Sequence, residues 1–156
     1  MTPIEVTPRL PDPALPDANW ADAFEMTTYR KFPNMRELAA ATVGSMPTWV
    51  KSLLAIRNVM VRPFGLKPDG TADAPHDDDR VGIFPILQES TDRIVLGLDD
   101  AHLDFRIVLE RTAVKTGDRL RATTLVKRHN LLGRTYIAAI TPFHKAVAAA
   151  ALRQAA

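Results

Sequence analysis

The sequence predicts an α+β fold in which a curved antiparallel sheet wraps around a long C-terminal helix. Apolar and polar residues alternate along residues 81–129, and the turns within this region are far too short for parallel crossovers. Helix signals precede the region, and a helical apolar period follows it over residues 134–154. A helix pair, a meander and a closing helix form an α+β order, in which the last helix covers one face of the sheet.

The N-terminal segment is rich in proline and is predicted to be an extended arm over residues 1–19, ahead of a single domain over residues 20–156. Proline lacks an amide hydrogen and fixes φ, so it is excluded from helix interiors and central strands. The first strand is predicted over Ala21–Thr28, with Phe24 and Met26 on one face. The prolines of the arm are Pro3, Pro8, Pro11, Pro13 and Pro16.

Two short helices are predicted after this strand. Asn34 can cap the first helix, with Glu37 three residues later as its reciprocal partner. The second helix begins at Ser45 or Thr48 and ends near Val61, ahead of a turn that contains proline and glycine. A loop rich in Pro, Gly and Asp then leads to the sheet.

The meander is predicted to contain four strands joined by short turns. Residues 115–118, Lys-Thr-Gly-Asp, have the composition of a hairpin loop between the last two strands. The final helix is predicted over Arg134–Gln154. The four predicted strands are Val81–Gln88, Arg93–Leu98, Ala101–Val114 and Arg119–His129.

The final helix carries an apolar stripe at helical spacing, with Arg134, Thr141 and Lys145 on the opposite side. Pro142 lies toward the outer side and removes one backbone hydrogen bond, so a kink is expected. The stripe is compatible with a plain core helix and with the wall of a cavity. Its residues are Tyr136, Ile140, Phe143, Val147, Ala150 and Ala151.

The second short helix has its own apolar stripe, and Arg57 projects within it. A guanidinium is not buried alone. Arg57 therefore snorkels, pairs with a carboxylate or meets a ligand anion. The stripe is formed by Trp49, Leu53, Ile56 and Met60.

Charged and apolar residues alternate along the long strand Ala101–Val114, which places Phe105 on one face and Asp104 and Arg106 on the other. The charged set forms either the solvated outer face of the sheet or a polar network that orients a ligand head group. The sequence leaves open which face points inward. If Phe105 lines the cavity, then Asp104 and Arg106 point outward.

The histidines offer two kinds of site. His144 is either a hydrogen-bonding tie between helix and sheet or a general acid/base at the cavity mouth, opposite Tyr136 or Asp104. His76 lies in an acidic loop that lacks the spaced ligands of a calcium-binding loop, so no metal site is predicted. The sequence contains no nucleophile elbow, phosphate-binding loop, dinucleotide fingerprint or zinc-protease motif, and no cofactor is predicted.

Composition excludes several function classes. The chain has 156 residues, 46% of them hydrophobic and 24% charged, which suits one ordinary folded domain. No apolar run approaches the roughly 20 residues of a bilayer-spanning helix, and no signal-type stretch occurs, so a cytoplasmic protein without a membrane span is expected. A net charge of +2 with dispersed basic residues argues against a nucleic-acid partner. The absence of cysteine excludes disulfides and thiol nucleophiles.

Three short stretches carry a family resemblance: GRTY at residues 133–136, PFH at residues 142–144 and HLDFR at residues 102–106. From about Trp20 to its end the chain resembles a bacterial domain-of-unknown-function family of the SRPBCC/START-like helix-grip superfamily, which includes lipid-transfer domains, plant allergen-like carriers and polyketide cyclases. The resemblance implies a curved antiparallel sheet that grips the C-terminal helix, with two short helices closing one end. It supplies no catalytic residues, since fold likeness alone does not assign chemistry.

We therefore expect the chain to bind a small, mostly apolar ligand between the sheet and the C-terminal helix, as a carrier or sensor rather than an enzyme. One alternative is a cyclase- or hydrolase-type enzyme in which His144 works with Tyr136 or Asp104. Another is an interaction module with a filled core that binds a partner protein or forms a homodimer. The residues expected to line the cavity or anchor the ligand are Trp49, Leu53, Arg57, Met60, Phe84, Asp104, Phe105, Arg106, Tyr136, Ile140, Phe143 and His144.

Overall fold

The fold is built on an antiparallel sheet with a long helix at its C-terminal end. In a computed structural model, which describes residues 2–45, 80–81, 84–99 and 103–156, seven strands pair in the order β1-β2-β7-β6-β5-β4-β3. The predicted α+β class is confirmed. The strands are β1 Ile4–Val6, β2 Trp20–Thr28, β3 Arg80–Val81, β4 Phe84–Glu89, β5 Arg93–Asp99, β6 Leu103–Val114 and β7 Gly117–Arg128.

The described α-helices are α1, Met35–Thr42, and α2, Leu131–Arg153. Asn34 caps α1 as predicted, because its side-chain oxygen accepts a hydrogen bond from the backbone N–H of Glu37 at 2.9 Å. A short 3₁₀ turn, Val43–Ser45, extends α1. The rest of the predicted second short helix lies outside the described residues. Neither α1 nor α2 is long and apolar enough to cross a bilayer.

The pairing register divides the sheet into two faces. We call the side on which α1 and α2 pack the helix face, and the other side the outer face. Alternate residues of each strand share a face, so the helix face of β2 carries Trp20, Asp22 and Phe24. Together with α1 and the end of α2, the helix face forms the main core. Its largest members include Phe24, Met26, Met35, Leu38, Ile94, Leu96, Leu109, Leu120 and Leu152.

The C-terminal end of α2 is tied to the end of β2. Thr28 is buried, and its hydroxyl donates a hydrogen bond to the carbonyl oxygen of Ala155 at 3.0 Å. Arg30 donates to the carbonyl oxygen of Gln154 at 3.3 Å. These bonds satisfy carbonyl groups that a helix end leaves without intrahelical partners. The helix packs mainly on β2 and β7, so it lies over one half of the sheet.

The buried face of α2 differs from the predicted stripe. Phe143 was predicted to lie in the stripe, but its side chain is 61% exposed. Thr141 was predicted to lie opposite the stripe, but it is half-buried. The sheet-facing side carries Ala151 of the predicted stripe, but also Ile137 and Leu152, which lie outside that stripe and are buried. The helix is rotated relative to the prediction because alanine at many positions gives it a weak apolar preference for any one side.

The N-terminal arm packs against the outer face. Leu15 contacts Val95, Val108 and Leu125 in a second, smaller core cluster. The arm also contributes β1, an edge strand that the sequence prediction lacks and that pairs with β2. Since β1 is three residues long and follows a proline, its sequence shows no clear alternation.

Charged groups fasten the arm to the outer face. Asp12, which is nearly buried, accepts a hydrogen bond from Arg93 at 2.5 Å, and Arg93 also pairs with Glu110 at 2.5 Å. Arg121 donates to the carbonyl oxygen of Thr7 and to Glu25, both at 2.6 Å. The buried guanidinium of Arg121 and the half-buried guanidinium of Arg93 therefore receive acceptors that the arm supplies, which joins the arm to the sheet.

The predicted hairpin loop before β7 is confirmed as a tight turn, and Gly117 is required there. Its φ of +146° is a conformation that residues with a side chain rarely adopt. A Cβ atom at this position would lie 2.1 Å from the carbonyl oxygen of Thr28. The turn between β6 and β7 can therefore lie against the end of β2 only because residue 117 has no side chain.

Candidate functional site

The structure settles the orientation of β6. Phe105 packs against the core clusters of the helix face, together with Ile107 and Leu109. Asp104 and Arg106 therefore point to the outer face, away from α2. Neither of these two predicted polar anchors therefore faces α2.

Asp104 and Arg106 have partners outside the helix face. The carboxylate of Asp104 lies 3.0 Å from Nε2 of His129, the residue that follows β7. Arg106 donates a hydrogen bond to the carbonyl oxygen of Phe105 at 2.9 Å and crosses Gly97, where an added Cβ atom would lie 2.8 Å from its Cδ. Both side chains thus have local roles on the outer face.

A buried carboxylate pairs with His144 between the sheet and α2. Asp22, on the helix face of β2, is 3% exposed. Nε2 of His144 lies 3.3 Å from each of its carboxylate oxygens, but only Oδ1 has hydrogen-bond geometry. Because a carboxylate can only accept, Nε2 carries the hydrogen and donates it to Oδ1. Oδ2 is buried and makes no hydrogen bond within the described part of the chain.

The neighbours of this pair are aromatic on one side and polar on the other. The ring of Trp20 meets the His144 ring edge-on, with 5.5 Å between the ring centres. Thr124 of β7 is buried directly opposite Asp22 in the strand register. A T-shaped ring contact fixes the plane of the imidazole, and the carboxylate fixes which ring nitrogen carries the hydrogen. The pair is therefore held in one orientation, as acid/base and ligand-anchoring groups require.

The described part of the chain covers the helix face incompletely next to this pair. Phe105 and Ile107 lie in β6, the central strand of the sheet, yet both side chains keep partial exposure. Leu103 and Leu109, at either end of the same row, are buried. Core-side residues of a central strand normally pack without accessible gaps. The exposure therefore indicates that the described residues leave space above the middle of β6, and we call this space the central hollow.

Aromatic and aliphatic side chains border the central hollow on the side away from Asp22. The rings of Phe84 and Phe105 lie 5.7 Å apart in a tilted arrangement. Ile86 of β4 is half-buried and packs against the main core. On β7, the half-buried Ala122 and the buried Thr124 present short side chains to the same face. Because these side chains are short, the helix face is recessed at this place. The rings of Phe84 and Phe105 form one wall of the central hollow.

The structure brings some of the predicted site residues together and separates others. Phe84, Phe105 and His144 lie on the helix face. Asp104 and Arg106 lie on the outer face, and Phe143 is exposed. The residues that fall outside the described part of the chain, or whose side chains do, are Trp49, Leu53, Arg57, Met60, Tyr136 and Ile140, and the loop with His76 is also outside it.

Sequence reasoning missed Asp22, although its signal is visible. Asp22 precedes Phe24 by two residues, so the alternation that placed Phe24 and Met26 on the core face places Asp22 there as well. A carboxylate in an otherwise apolar row is costly to bury, which is why such residues often mark functional sites. Its partner could not be found in the same way, because His144 lies 122 residues further along the chain.

An open pocket of about 450 Å³ lies elsewhere, between the start of α1 and the turn between β4 and β5. Its charged groups already have protein partners. Arg36 donates to Glu89 at 2.9 Å, and Arg111 donates to the carbonyl oxygens of Phe32 and Thr91 at 2.7 and 2.9 Å. A ligand would have to compete with these bonds, so the pocket is a weaker candidate than the Asp22–His144 pair.

The fold and the site together define an α+β domain with a polar pair buried between the sheet and the C-terminal helix. Residues 14–151 match the family described as Protein of unknown function (DUF2867). The chain belongs to this family, whose match covers nearly the whole sheet and most of α2. No curated protein and no solved structure shows a significant match to the chain.

Proposed function

We propose that this protein binds a small, mostly apolar molecule in the central hollow, between the helix face of the sheet and α2, and acts as a carrier or sensor. The partial exposure of Phe105 and Ile107 carries the proposal, because apolar core-side residues of a central strand are exposed at a cost unless something covers them. The bordering Phe84 and Ile86 extend this apolar surface.

A single row of residues across the sheet supports the same proposal. The register aligns Asp22, Thr124, Ile107, Leu96 and Ile86 on adjacent strands, in that order. Neighbouring strands lie about 4.8 Å apart, so the row is roughly 19 Å long. It begins with a carboxylate and a hydroxyl and ends with three aliphatic side chains. A ligand with an apolar body and one polar end matches this order.

We also propose that the sheet and α2 form a helix-grip arrangement. The sequence resemblance to the SRPBCC/START-like group, the packing of α2 on one face and the antiparallel order of the strands support a helix-grip arrangement. In that arrangement the sheet curves around α2, and the cavity between them is where members of such a group hold their ligands. The proposed ligand position agrees with it, since the central hollow lies on the face that α2 covers.

Fluorescence titration with N-phenylnaphthylamine, an uncharged apolar probe, tests the proposal. We expect saturable enhancement with the full chain. Ile107→Trp should fill the central hollow and weaken binding by roughly tenfold or more, because overpacking a filled site costs about 1–3 kcal/mol. The matched control is Ile4→Trp, since Ile4 is 60% exposed on the edge strand.

Two outcomes would count against ligand binding at this place. The first is a wild-type protein that shows no saturable binding of the probe. The second is an equal loss of affinity in both tryptophan variants, which would mean that the probe binds the surface generally. Urea unfolding of each variant confirms that the protein under test is folded.

The Asp22–His144 pair favours enzymatic chemistry as a second candidate function. A histidine whose ring is oriented by a buried carboxylate is the usual arrangement of a general base, here with Asp22 in the positioning role. We expect such an enzyme to hydrolyse an apolar ester such as p-nitrophenyl butyrate. Replacement of His144 by glutamine should abolish the hydrolysis, whereas His129→Gln, in the histidine–aspartate pair of the outer face, should not. Equal rates in both variants would exclude this candidate.

A further inference from the structure

One buried polar atom in the described part of the chain is unsatisfied, and it lies at the polar end of the proposed site. Oδ2 of Asp22 has no hydrogen-bond donor, although a carboxylate oxygen has room for two. His144 approaches it at 3.3 Å but directs its hydrogen to Oδ1. Native proteins rarely leave a buried acceptor unpaired, and such an atom calls for an explanation in function.

Two of the side chains next to the Asp22–His144 pair are partly exposed. The His144 side chain lies against Asp22 and is itself 17% exposed. Trp20, which contacts the His144 ring, is half-buried. The Asp22 carboxylate therefore borders side chains that reach the solvent, and a ligand head group would gain Oδ2 by displacing the His144 ring.

Among the described residues, the ionisable side chains that meet at this position are Asp22 and its partner His144. Lys145, the next residue of α2, points toward β1 and pairs with Glu5. On the strands packed beneath His144, the facing side chains are Asp22, Thr124 and Trp20. An anionic head group placed here would meet the buried carboxylate, and like charges at short range repel each other strongly where water is excluded.

We infer that the ligand carries a hydrogen-bond donor, an alcohol or an amine, at the end that reaches Asp22, and that carboxylate-headed amphiphiles are rejected. The inference rests on the proposed function and adds the chemical class of the ligand. The donor pairs with Oδ2, and the apolar body extends over Thr124 toward Ile107 and Phe105 in the central hollow. Asp22 is then a specificity-determining residue rather than a structural one.

A panel of compounds with one chain length tests the inference with the wild-type protein. Octanol, octylamine, methyl octyl ether and octanoate are each used to displace N-phenylnaphthylamine. Octanol and octylamine should bind roughly tenfold tighter than the ether, since the ether can accept but not donate to Oδ2. Octanoate should bind most weakly. Equal affinities across the panel, or a preference for octanoate, would overturn the inference.

Two leucine variants test whether Asp22 is the residue that makes octanol bind more tightly than the ether. Asp22→Leu keeps the branched shape but removes the acceptor, so octanol and the ether should bind equally well to it. Asp104→Leu removes the carboxylate of the corresponding aspartate–histidine pair on the outer face and should leave the preference for octanol unchanged. Retention of the preference in Asp22→Leu would overturn the inference.

The assay separates the two possible failures. If the probe binds and every panel member displaces it equally, the site exists but does not select a donor, and only the inference fails. If neither the probe nor any panel member binds, the proposed function fails and the inference fails with it. Displacement of the probe from the wild-type protein by the four compounds distinguishes these two failures, even if Asp22→Leu does not fold.

Discussion

The replacement of Asp22 by leucine should make the protein more stable, even as it removes the proposed specificity for a donor. Leucine has the same number of heavy side-chain atoms and the same branching as aspartate. Asp22 is 3% exposed and shares the helix face of β2 with apolar side chains, so a leucine there stays buried. The side chain of its partner His144 is 17% exposed, so water can solvate the ring nitrogen that the carboxylate leaves, and no buried partner is left uncompensated.

The magnitude follows from three contributions. Removal of the unpaired Oδ2 should stabilise the protein by about 1–3 kcal/mol, and the added apolar burial contributes roughly 1.6 kcal/mol for two methyl groups. The hydrogen bond from His144 to Oδ1 is lost, which costs about 1.5–3 kcal/mol. We therefore expect a net gain of about 1 kcal/mol, which corresponds to roughly 2–4 °C in Tm for a chain of this size.

Urea unfolding followed by circular dichroism measures this difference as a rise in the midpoint at unchanged slope. Thr28→Val is the contrasting variant, because Thr28 is also buried on the helix face of β2 but is satisfied by the carbonyl oxygen of Ala155. It should lose about 1–3 kcal/mol. A loss of about 3 kcal/mol or more in Asp22→Leu would refute the reasoning and identify the Asp22–His144 pair as a structural ion pair.

Three further predictions concern the turn, the arm and the central hollow. Gly117→Ala should destabilise the protein by about 1–3 kcal/mol or more, because of its positive φ and the contact of the new Cβ with Thr28, and urea unfolding checks this. Leu15→Ala should cost about 2–5 kcal/mol in the same assay if the arm is part of the folded core, and an unchanged midpoint would show that it is not. Ala122→Leu, beside the central hollow, should leave stability nearly unchanged and weaken probe binding, whereas Ala23→Leu on the outer face, where the residue is fully buried, should lose about 1–3 kcal/mol. Equal losses of stability in these two leucine variants would contradict the existence of the hollow.

Much of the fold could be predicted from local patterns. The alternation along β6 assigned Phe105 and Asp104 to opposite faces, and the cap at Asn34 set the start of α1. These features depend on residues within one turn or one strand. The strand in the N-terminal arm was harder to predict, because β1 is an edge strand whose formation depends on pairing with β2 rather than on its own sequence.

The candidate site could be predicted only in part, because it depends on long-range pairing. The sequence predicts that His144 lies beside the apolar side of the helix, with Tyr136 or Asp104 as its partner. The structure pairs it with Asp22, which the strand register and the rotation of α2 bring to the same place. Neither the register nor the rotation follows from the alanine-rich helix sequence, in which Phe143 and Ile137 are almost equally good candidates for the buried side.

Nuclear Overhauser contacts between octanol and the methyl groups of the protein test the central claim most directly. Ligand protons should show contacts with Ile107, which borders the central hollow, and none with Val108, the next residue of β6, which is buried on the outer face. Contacts with Val108 and not with Ile107, or an absence of any contact at saturating octanol, would contradict binding between the sheet and α2.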